Sequence, residues 1–240
     1  MTLLRARQLT KRFGGHAAVD RLDLSIEAGE IRCLIGPNGA GKSTALALLA
    51  GSLSPSAGAI YFDGSEISNV AAHDRAKRGI SIKFQLPSVF PELSVRQNLK
   101  IALSRRYLGS ELDDRIDETL DLVELSDQRG KLARVLSHGQ KQWLEFGLAI
   151  SLKPRLLLLD EPTAGMTPEE TERTGELVLR LNRSGVTVVA VEHDMQFVRQ
   201  IARTVSVLHL GTVFSEGRLN DVLANEDVKK IYFGEAPRHG

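Results

Sequence analysis

The chain has 240 residues, of which 42% are hydrophobic and 25% are charged, and its formal net charge is +1 at pH 7. This length suits one large α/β domain or a core with a smaller inserted lobe. The near-neutral charge argues against nucleic acid as a partner held by bulk electrostatics, and the single cysteine, Cys33, excludes an internal disulfide. Because no apolar stretch approaches membrane-spanning length and the start lacks a signal-peptide core, we expect a cytoplasmic protein that reaches a membrane only through a partner.

The first part of the chain is predicted to be rich in β-strand. Residues 22–26 alternate apolar and polar side chains, the pattern of a half-buried strand, and the apolar run 31–35 predicts a short buried strand. A buried helix is predicted over 44–50, ended by Gly51, and another strand follows at 59–62.

The middle of the chain changes character from strand-like to helical. After the strand-like residues 80–84, helical spacing predicts one helix over 113–125 and a second from about Ser137. No strand pattern interrupts residues 85–152. We therefore expect an α-helical lobe inserted into an α/β core.

The last part of the chain alternates strands with helices. Apolar runs predict strands at 156–160, 186–191 and 205–209, helical patterns fill 169–182 and 195–202, and a loose tail is expected after residue 234. This alternation predicts a mostly parallel sheet with right-handed crossovers.

A glycine-rich loop between the second predicted strand and the first predicted helix is typical of phosphate binding. Its glycines let successive backbone N–H groups approach phosphate oxygens. Lys42 is placed to bridge the β- and γ-phosphates, and Ser43 to ligate Mg²⁺. The predicted nucleotide-binding residues are Gly36, Pro37, Asn38, Gly39, Ala40, Gly41, Lys42, Ser43 and Thr44.

Acidic and polar residues follow three of the predicted core strands. Asp160 ends a strand of four leucines, where it would hold Mg²⁺ through water, and Glu161 is placed to polarise the attacking water. His193 either donates to the γ-phosphate or caps the helix that follows it. Gln85 either senses Mg²⁺ and water, relaying this to the helical lobe, or is an ordinary exposed glutamine. Glu161, His193 and Gln85 are therefore the candidate catalytic residues.

A second candidate phosphate contact lies between these two halves of the site. The segment Ser137-His138-Gly139-Gln140 is rich in small residues and amide donors. If it binds a nucleotide held by another copy of the chain, the protein works as a dimer.

In their order along the chain, these motifs resemble those of the ATP-binding subunits of ATP-binding-cassette (ABC) transporters. The matching segments are Walker A at 36–44, the Q-loop at Gln85, the signature at 136–140, Walker B at 156–160 and the switch at His193. By the same resemblance Phe13 is the aromatic side chain that stacks on adenine, although a hydrophobic residue at a strand end is the alternative.

The resemblance implies one ABC ATPase domain over residues 1–240. Its fold would be α/β: a P-loop NTPase core with a mostly parallel sheet, from residues 1–84 and 153–240, an N-terminal antiparallel β subdomain, and the inserted helical lobe of residues 85–152.

The resemblance also implies a mechanism and a set of partners. Two ATPase subunits, forming a homodimer or a heterodimer with a second ABC ATPase, would sandwich two ATP molecules. Each nucleotide would lie between Lys42 of one copy and Ser137, Gly139 and Gln140 of the other. Closure of the ATP sandwich would drive the membrane permease subunits. An extracytoplasmic binding protein would be an indirect partner through these permeases. The subunit itself would lie peripherally on the inner face of the cell membrane.

Two positions depart from the commonest family pattern. His138 replaces a glycine, and Thr167 replaces an aspartate whose contact across the dimer is thereby put in doubt. Residues 136–145, 164–167 and 191–195 resemble the branched-chain amino acid and amide uptake group. Within that group, His138 and Lys141-Gln142-Trp143 are most similar to urea importers.

Three other functions are alternatives to that of a transporter subunit. A soluble ABC ATPase of translation or DNA repair usually carries two cassettes or a long coiled coil, and this chain has neither pattern. A phosphate-loop kinase or GTPase leaves residues 137–140 unexplained, and an intact Glu161 disfavours a module that binds ATP without hydrolysis. The resemblance also implies a permease-docking groove lined by residues 86–106, in which the apolar run of Pro87, Val89, Phe90, Pro91 and Leu93 is either an exposed docking patch or packing within the lobe.

Overall fold

The computed structural model describes residues 1–83, 89–104 and 106–233. Within these ranges the strands are β1 (Thr2–Phe13), β2 (His16–Glu27), β3 (Ile31–Ile35), β4 (Ala57–Phe62), β5 (Ser65–Glu66), β6 (Ile80–Lys83), β7 (Leu156–Asp160), β8 (Thr187–Val191), β9 (Thr204–His209) and β10 (Thr212–Gly217). The helices are α1 (Lys42–Ala50), α2 (Ala72–Lys77), α3 (Val95–Leu103), α4 (Gly109–Leu122), α5 (His138–Ile150), α6 (Pro168–Arg183), α7 (Met195–Ile201), α8 (Leu219–Ala224) and α9 (Glu226–Phe233).

Two sheets build the fold. The six-stranded sheet has the order β10-β9-β3-β8-β7-β6 and is parallel except for β10, which pairs with β9 in the antiparallel sense. A four-stranded antiparallel sheet has the order β2-β1-β4-β5. The predicted α/β class, with a mostly parallel sheet and an N-terminal antiparallel part, is therefore confirmed.

The six-stranded sheet is covered on both faces, which explains why its central strands read as continuous apolar runs. Along β7, Leu157 and Leu159 join the hydrophobic cluster that contains residues of α3 to α7, whereas Leu156 and Leu158 join the cluster shared with α1 and the antiparallel sheet. Successive side chains of a strand point to opposite faces. Cys33 lies in the first of these clusters, where burial raises the pKa of its thiol, as expected for a small core residue.

The helices between residues 95 and 150 match the predicted helical character of this region. Buried residues of α3, α4 and α5 belong to the same hydrophobic cluster as alternate residues of β3, β7 and β8. Since this cluster includes both the helices and the sheet, it does not separate a lobe from a core. The division of the chain into a core and a lobe of residues 85–152 remains a prediction.

Several predicted bounds were wrong. The helix predicted over 113–125 begins earlier and ends at Leu122, because Glu124 has a positive φ of 57° that no α-helix accommodates. The helix predicted from residue 44 begins at Lys42. The patterns did not predict α2, α3, β10, α8 or α9. The expected tail after residue 234 lies outside the described residues.

Candidate active site

The phosphate loop connects β3 to α1 at the carboxyl edge of the parallel sheet. Gly36 and Gly41 have positive φ values of 145° and 96°. A Cβ atom at Gly36 would lie 2.2 Å from the Leu208 carbonyl oxygen, and one at Gly41 would lie 2.2 Å from the Ala18 carbonyl oxygen. Both positions therefore require glycine for conformation and for space, because neighbouring backbone approaches the loop closely.

Lys42, the first residue of α1, is buried beneath this loop. Its Nζ donates to the carbonyl oxygens of Gly36 at 2.8 Å and Pro37 at 3.0 Å. Burial lowers the pKa of Lys42, while the nearby carboxylates of Glu161 and Asp160 act in the opposite direction. A phosphate group at the loop would supply the negative charge that this desolvated ammonium group favours.

Ser43 and Asp160 meet at the end of β7. The Ser43 Oγ donates to Asp160 Oδ1 at 3.1 Å, and burial is the main cause that raises the pKa of Asp160. A hydroxyl and a carboxylate are hard oxygen donors, and Mg²⁺ is commonly held by one or two such groups together with water and substrate phosphates. These two residues therefore fit the predicted magnesium site, whose third predicted member, Gln85, lies outside the described residues.

Glu161 and His193 stand at the ends of adjacent strands. Glu161 has a positive φ of 46°, and its backbone N–H donates to the Val191 carbonyl oxygen at the end of β8. The Nδ1 of His193 lies 3.7 Å from Glu161 Oε1. The alternative role of His193 as a helix cap is wrong, because Asp194 caps α7 by accepting from the backbone N–H groups of Gln196 and Phe197.

Glu192 is a site residue that the sequence patterns did not reveal. It is buried, and its Oε1 accepts from the backbone N–H and the hydroxyl of Thr163 at 3.1 and 2.6 Å. Its Oε2 accepts from the backbone N–H groups of His193 and Asp194. One carboxylate thus joins the loops that follow β7 and β8. The signal in the sequence that could have indicated it is an acidic residue directly after the apolar strand β8.

An open cleft of about 300 Å³ lies along the phosphate loop and reaches Glu161. Its lining comprises His16, Ala18, Asn38, Gly39, Ala40, Gly41, Lys42, Ser43, Thr44 and Glu161. Phe13 is not among the lining residues; it is half exposed at the end of β1, with the Lys11 ammonium group 5.3 Å from its ring centre. His16 is a lining residue that sequence reasoning missed.

The segment 137–140 does not line this cleft. Ser137 is the N-cap of α5, and it forms a reciprocal capping box with Gln140. Gly139 is buried, whereas Ser137 and His138 are exposed. The structure therefore gathers the phosphate loop, Asp160, Glu161 and His193, and places the second candidate phosphate contact elsewhere on the same chain.

The fold and the cleft define a P-loop nucleotide-binding protein of the α/β class. Residues 19–164 match the family model described as "ABC transporter". The chain belongs to this ABC family, whose ATP-binding cassettes hydrolyse ATP.

Two relatives cover 98% of this chain and 98% of their own length. The high-affinity branched-chain amino acid transport ATP-binding protein BraF of Pseudomonas aeruginosa is 34% identical over 252 residues. The lipopolysaccharide export system ATP-binding protein LptB of Escherichia coli K12 is 32% identical over 237 residues. Similarity over nearly the full length thus extends to ATP-binding proteins of an amino acid transport system and of a lipopolysaccharide export system.

Two solved structures show the same fold. The ADP conformation of MJ1267, an ATP-binding cassette of an ABC transporter, is 30% identical with a TM-score of 0.88, covering 98% of this chain and 100% of its own. A dimeric post-hydrolysis state of the cassette MJ0796 bound to ADP and Pi is 28% identical with a TM-score of 0.82, covering 90% and 99%. Within residues 1–83, 89–104 and 106–233, no helix has the length and apolar character to cross a membrane.

Proposed function

We propose that this chain is the ATP-hydrolysing subunit that energises an ABC importer for a small polar solute, either urea or branched-chain amino acids and amides. The observation that carries the proposal is the cleft lined by Lys42, Ser43 and Glu161, with Asp160 hydrogen-bonded to Ser43 beside it. These groups supply a phosphate-binding cation, oxygen donors and a carboxylate in one place.

Each side chain of the cleft has a distinct task. Lys42 and the loop N–H groups bind the phosphates of ATP, and Ser43 and Asp160 would hold Mg²⁺, which supplies charge neutralisation at the phosphates. Glu161 accepts a proton from the attacking water, and His193 beside it contacts the γ-phosphate. The candidate role of Gln85 as a sensor of Mg²⁺ and water remains a prediction.

A second subunit completes the site. Residues 137–140 do not line the cleft of their own chain, and we infer that they contact a nucleotide bound by another copy or by a second ABC ATPase. The dimeric form of the MJ0796 cassette bound to ADP and Pi supports this arrangement. A γ-phosphate held from both sides favours the closed dimer by differential binding.

The transport role supplies the remaining partners. We infer that permease subunits dock on the ATPase at the inner face of the membrane and that an extracytoplasmic binding protein delivers the solute. Similarity to BraF supports an amino-acid importer, whereas His138 and the residues 141–143 are the features that favour urea. The second candidate function is a soluble ABC ATPase without a permease.

The first test is the Glu161→Gln variant. We expect it to bind Mg-ATP, to lose turnover by at least about a hundredfold because the water is no longer deprotonated, and to accumulate as a dimer in sedimentation experiments. Lys42→Ala, which removes the phosphate-binding cation, should lose ATP binding. A Glu161→Gln protein that stays monomeric with saturating Mg-ATP would contradict the sandwich.

The second test is the identity of what co-purifies with the tagged full chain. Recovery with a hydrophobic permease, followed by stimulation of ATPase activity in proteoliposomes by urea or by leucine with the matching binding protein, would support the importer and identify its solute. Recovery with ribosomes or DNA alone would support the soluble ATPase instead.

A further inference from the structure

We infer that His138 is a positioning residue. Its hydrogen bond holds the signature segment, residues 136–140, against the β7–α6 loop, residues 161–167, of the same chain. The Nε2 of His138 lies 2.9 Å from the Ala164 carbonyl oxygen. Because a carbonyl oxygen only accepts hydrogen bonds, Nε2 carries the proton in this contact. The bond connects the first residue of α5 to a loop 26 residues further along the chain.

Gly165 provides the space that the imidazole ring occupies. It has a positive φ of 74°, and a Cβ atom at this position would lie only 3.0 Å from His138 Nε2. A side chain at residue 165 would therefore strain the backbone and press on the ring. The histidine and the glycine fit one another.

Two more contacts join α5 to the start of α6. A Cβ atom at Gly139 would lie 2.1 Å from Glu170 Oε1, so the Glu170 side chain packs directly against the backbone of the signature segment. One turn further along α5, Trp143 Nε1 donates to Thr174 Oγ1 at 3.1 Å. The His138 bond thus belongs to a contiguous contact surface between α5 and residues 164–174.

Thr167 lies on the same contact surface and has a structural role there. Its Oγ1 accepts from the backbone N–H of Glu170 at 3.2 Å, and Glu170 Oε2 accepts from the backbone N–H of Thr167 at 2.9 Å. This capping box begins α6. The Thr167 side chain therefore stabilises its own helix.

The β7–α6 loop starts at Glu161 and contacts His138 through Ala164. In the ATP-bound dimer of the proposed function, on which this inference depends, the signature segment faces the nucleotide of the other subunit. The His138 bond then connects the Glu161 end of one site to the signature contact of the other. Without the bond the two segments lose the contact nearest the signature and are held less firmly, so the closed dimer weakens while ATP binding by the single chain is unaffected.

The experiment measures ATP-dependent dimer formation by sedimentation in the Glu161→Gln background with saturating Mg-ATP. Loss of one hydrogen bond by His138→Ala should raise the dimer dissociation constant about tenfold. His138→Gln, which keeps a donor at similar reach, should remain within about threefold of the parent. His73→Ala, which removes an exposed histidine of α2, is the matched control and should change nothing.

A double-mutant cycle tests the contact itself. Gly165→Ala should weaken the dimer more strongly when His138 is present than in the His138→Ala protein, because the backbone strain is common to both backgrounds and cancels. Additive effects would overturn the inference. The isolated chain should keep its ATP affinity in every variant, which also shows that each one is folded.

The outcomes separate the two levels of proposal. If Glu161→Gln does not dimerise, the proposed sandwich fails and the positioning role fails with it. If Glu161→Gln dimerises and the His138→Ala variant dimerises equally well, only the inference about His138 is overturned. A loss in His138→Ala that His138→Gln does not restore assigns the effect to ring packing and equally overturns the hydrogen-bond role.

Discussion

At the scale of single residues, the candidate site holds ionisable groups in surroundings that oppose their charged forms. Burial raises the pKa of Asp160 and lowers that of Lys42, although each has an opposite charge nearby. The protein retains two groups that weaken the nucleotide-free state. Binding of a cation and of phosphate offsets the cost of burying these two charges. Removing one of the charges should therefore stabilise the nucleotide-free chain and weaken ligand binding.

Asp160→Asn tests this opposition. Because its pKa is raised, Asp160 binds a proton more tightly in the folded chain than in the unfolded chain. The free energy of unfolding of the wild type therefore falls as the pH rises from the ordinary aspartate pKa to the raised pKa of the folded chain. The variant, which keeps an oxygen acceptor for Ser43, should therefore be more stable without nucleotide at pH 7, and the difference should vanish near pH 3. Its Mg²⁺-dependent turnover should fall about 10- to 100-fold.

Urea denaturation over a pH series checks the expected sign. Asp63→Asn serves as a control of opposite sign, because the hydrogen bond from Arg155 lowers the pKa of Asp63. That variant should lose stability at neutral pH. Equal behaviour of the two variants would contradict the assignment of burial as the dominant cause at Asp160.

At the scale of elements, one arginine of α2 holds the helix that carries Lys42. Arg75 is buried, and its guanidinium donates to the carbonyl oxygens of Leu48 and Leu49 at the end of α1. It also donates to three carbonyl oxygens of the segment before α2, those of Ile67, Ser68 and Val70. The end of α1 and this segment are thus joined through one side chain.

Arg75→Met should lower the free energy of unfolding by about 3 kcal/mol, because buried carbonyl groups lose their donors while a similar apolar volume is kept. Chemical denaturation measures the change. Arg78→Met, at the exposed end of the same helix, is the matched control and should alter stability by less than about 0.5 kcal/mol. Similar losses in both variants would show that the carbonyl contacts are not the source of stability.

At the scale of the whole molecule, the cleft and the signature segment lie at different places on one chain. In the proposed sandwich the reaction centre is complete only when two chains meet. Asp160 and Glu161 lie at the end of β7 and Lys42 begins α1 beside them, whereas Ser137 lies at the N-terminus of α5. Under this proposal, assembly controls activity through mass action.

ATPase activity per molecule should consequently fall as the isolated chain is diluted over about a hundredfold range of concentration, because the fraction of closed dimer falls. Turnover at saturating Mg-ATP, measured in the absence of permease, gives the dependence. A Ser137→Ala variant should reduce the activity at every concentration. Constant activity per molecule across the range would contradict a shared reaction centre.

The sequence patterns located the parts of the fold and site whose causes are local. The apolar runs gave β3, β7 and β8 to within a residue, because strands buried on both faces carry little polar alternation. The phosphate loop was predicted because its glycines are required by backbone geometry. The patterns missed α3, although its capping box of Ser94 and Gln97 is a readable local signal.

The amino-acid sequence by itself determined the chemistry: a phosphate loop, a pair of acids after a buried strand, and a polar segment at the start of a helix. Only the tertiary structure decided which of these share a cleft, that Glu192 joins two loops, and that His138 contacts Ala164. Such contacts connect residues far apart in the chain. Periodicity reports only which face of an element is buried, whereas the packing of one element on another decides what that face touches.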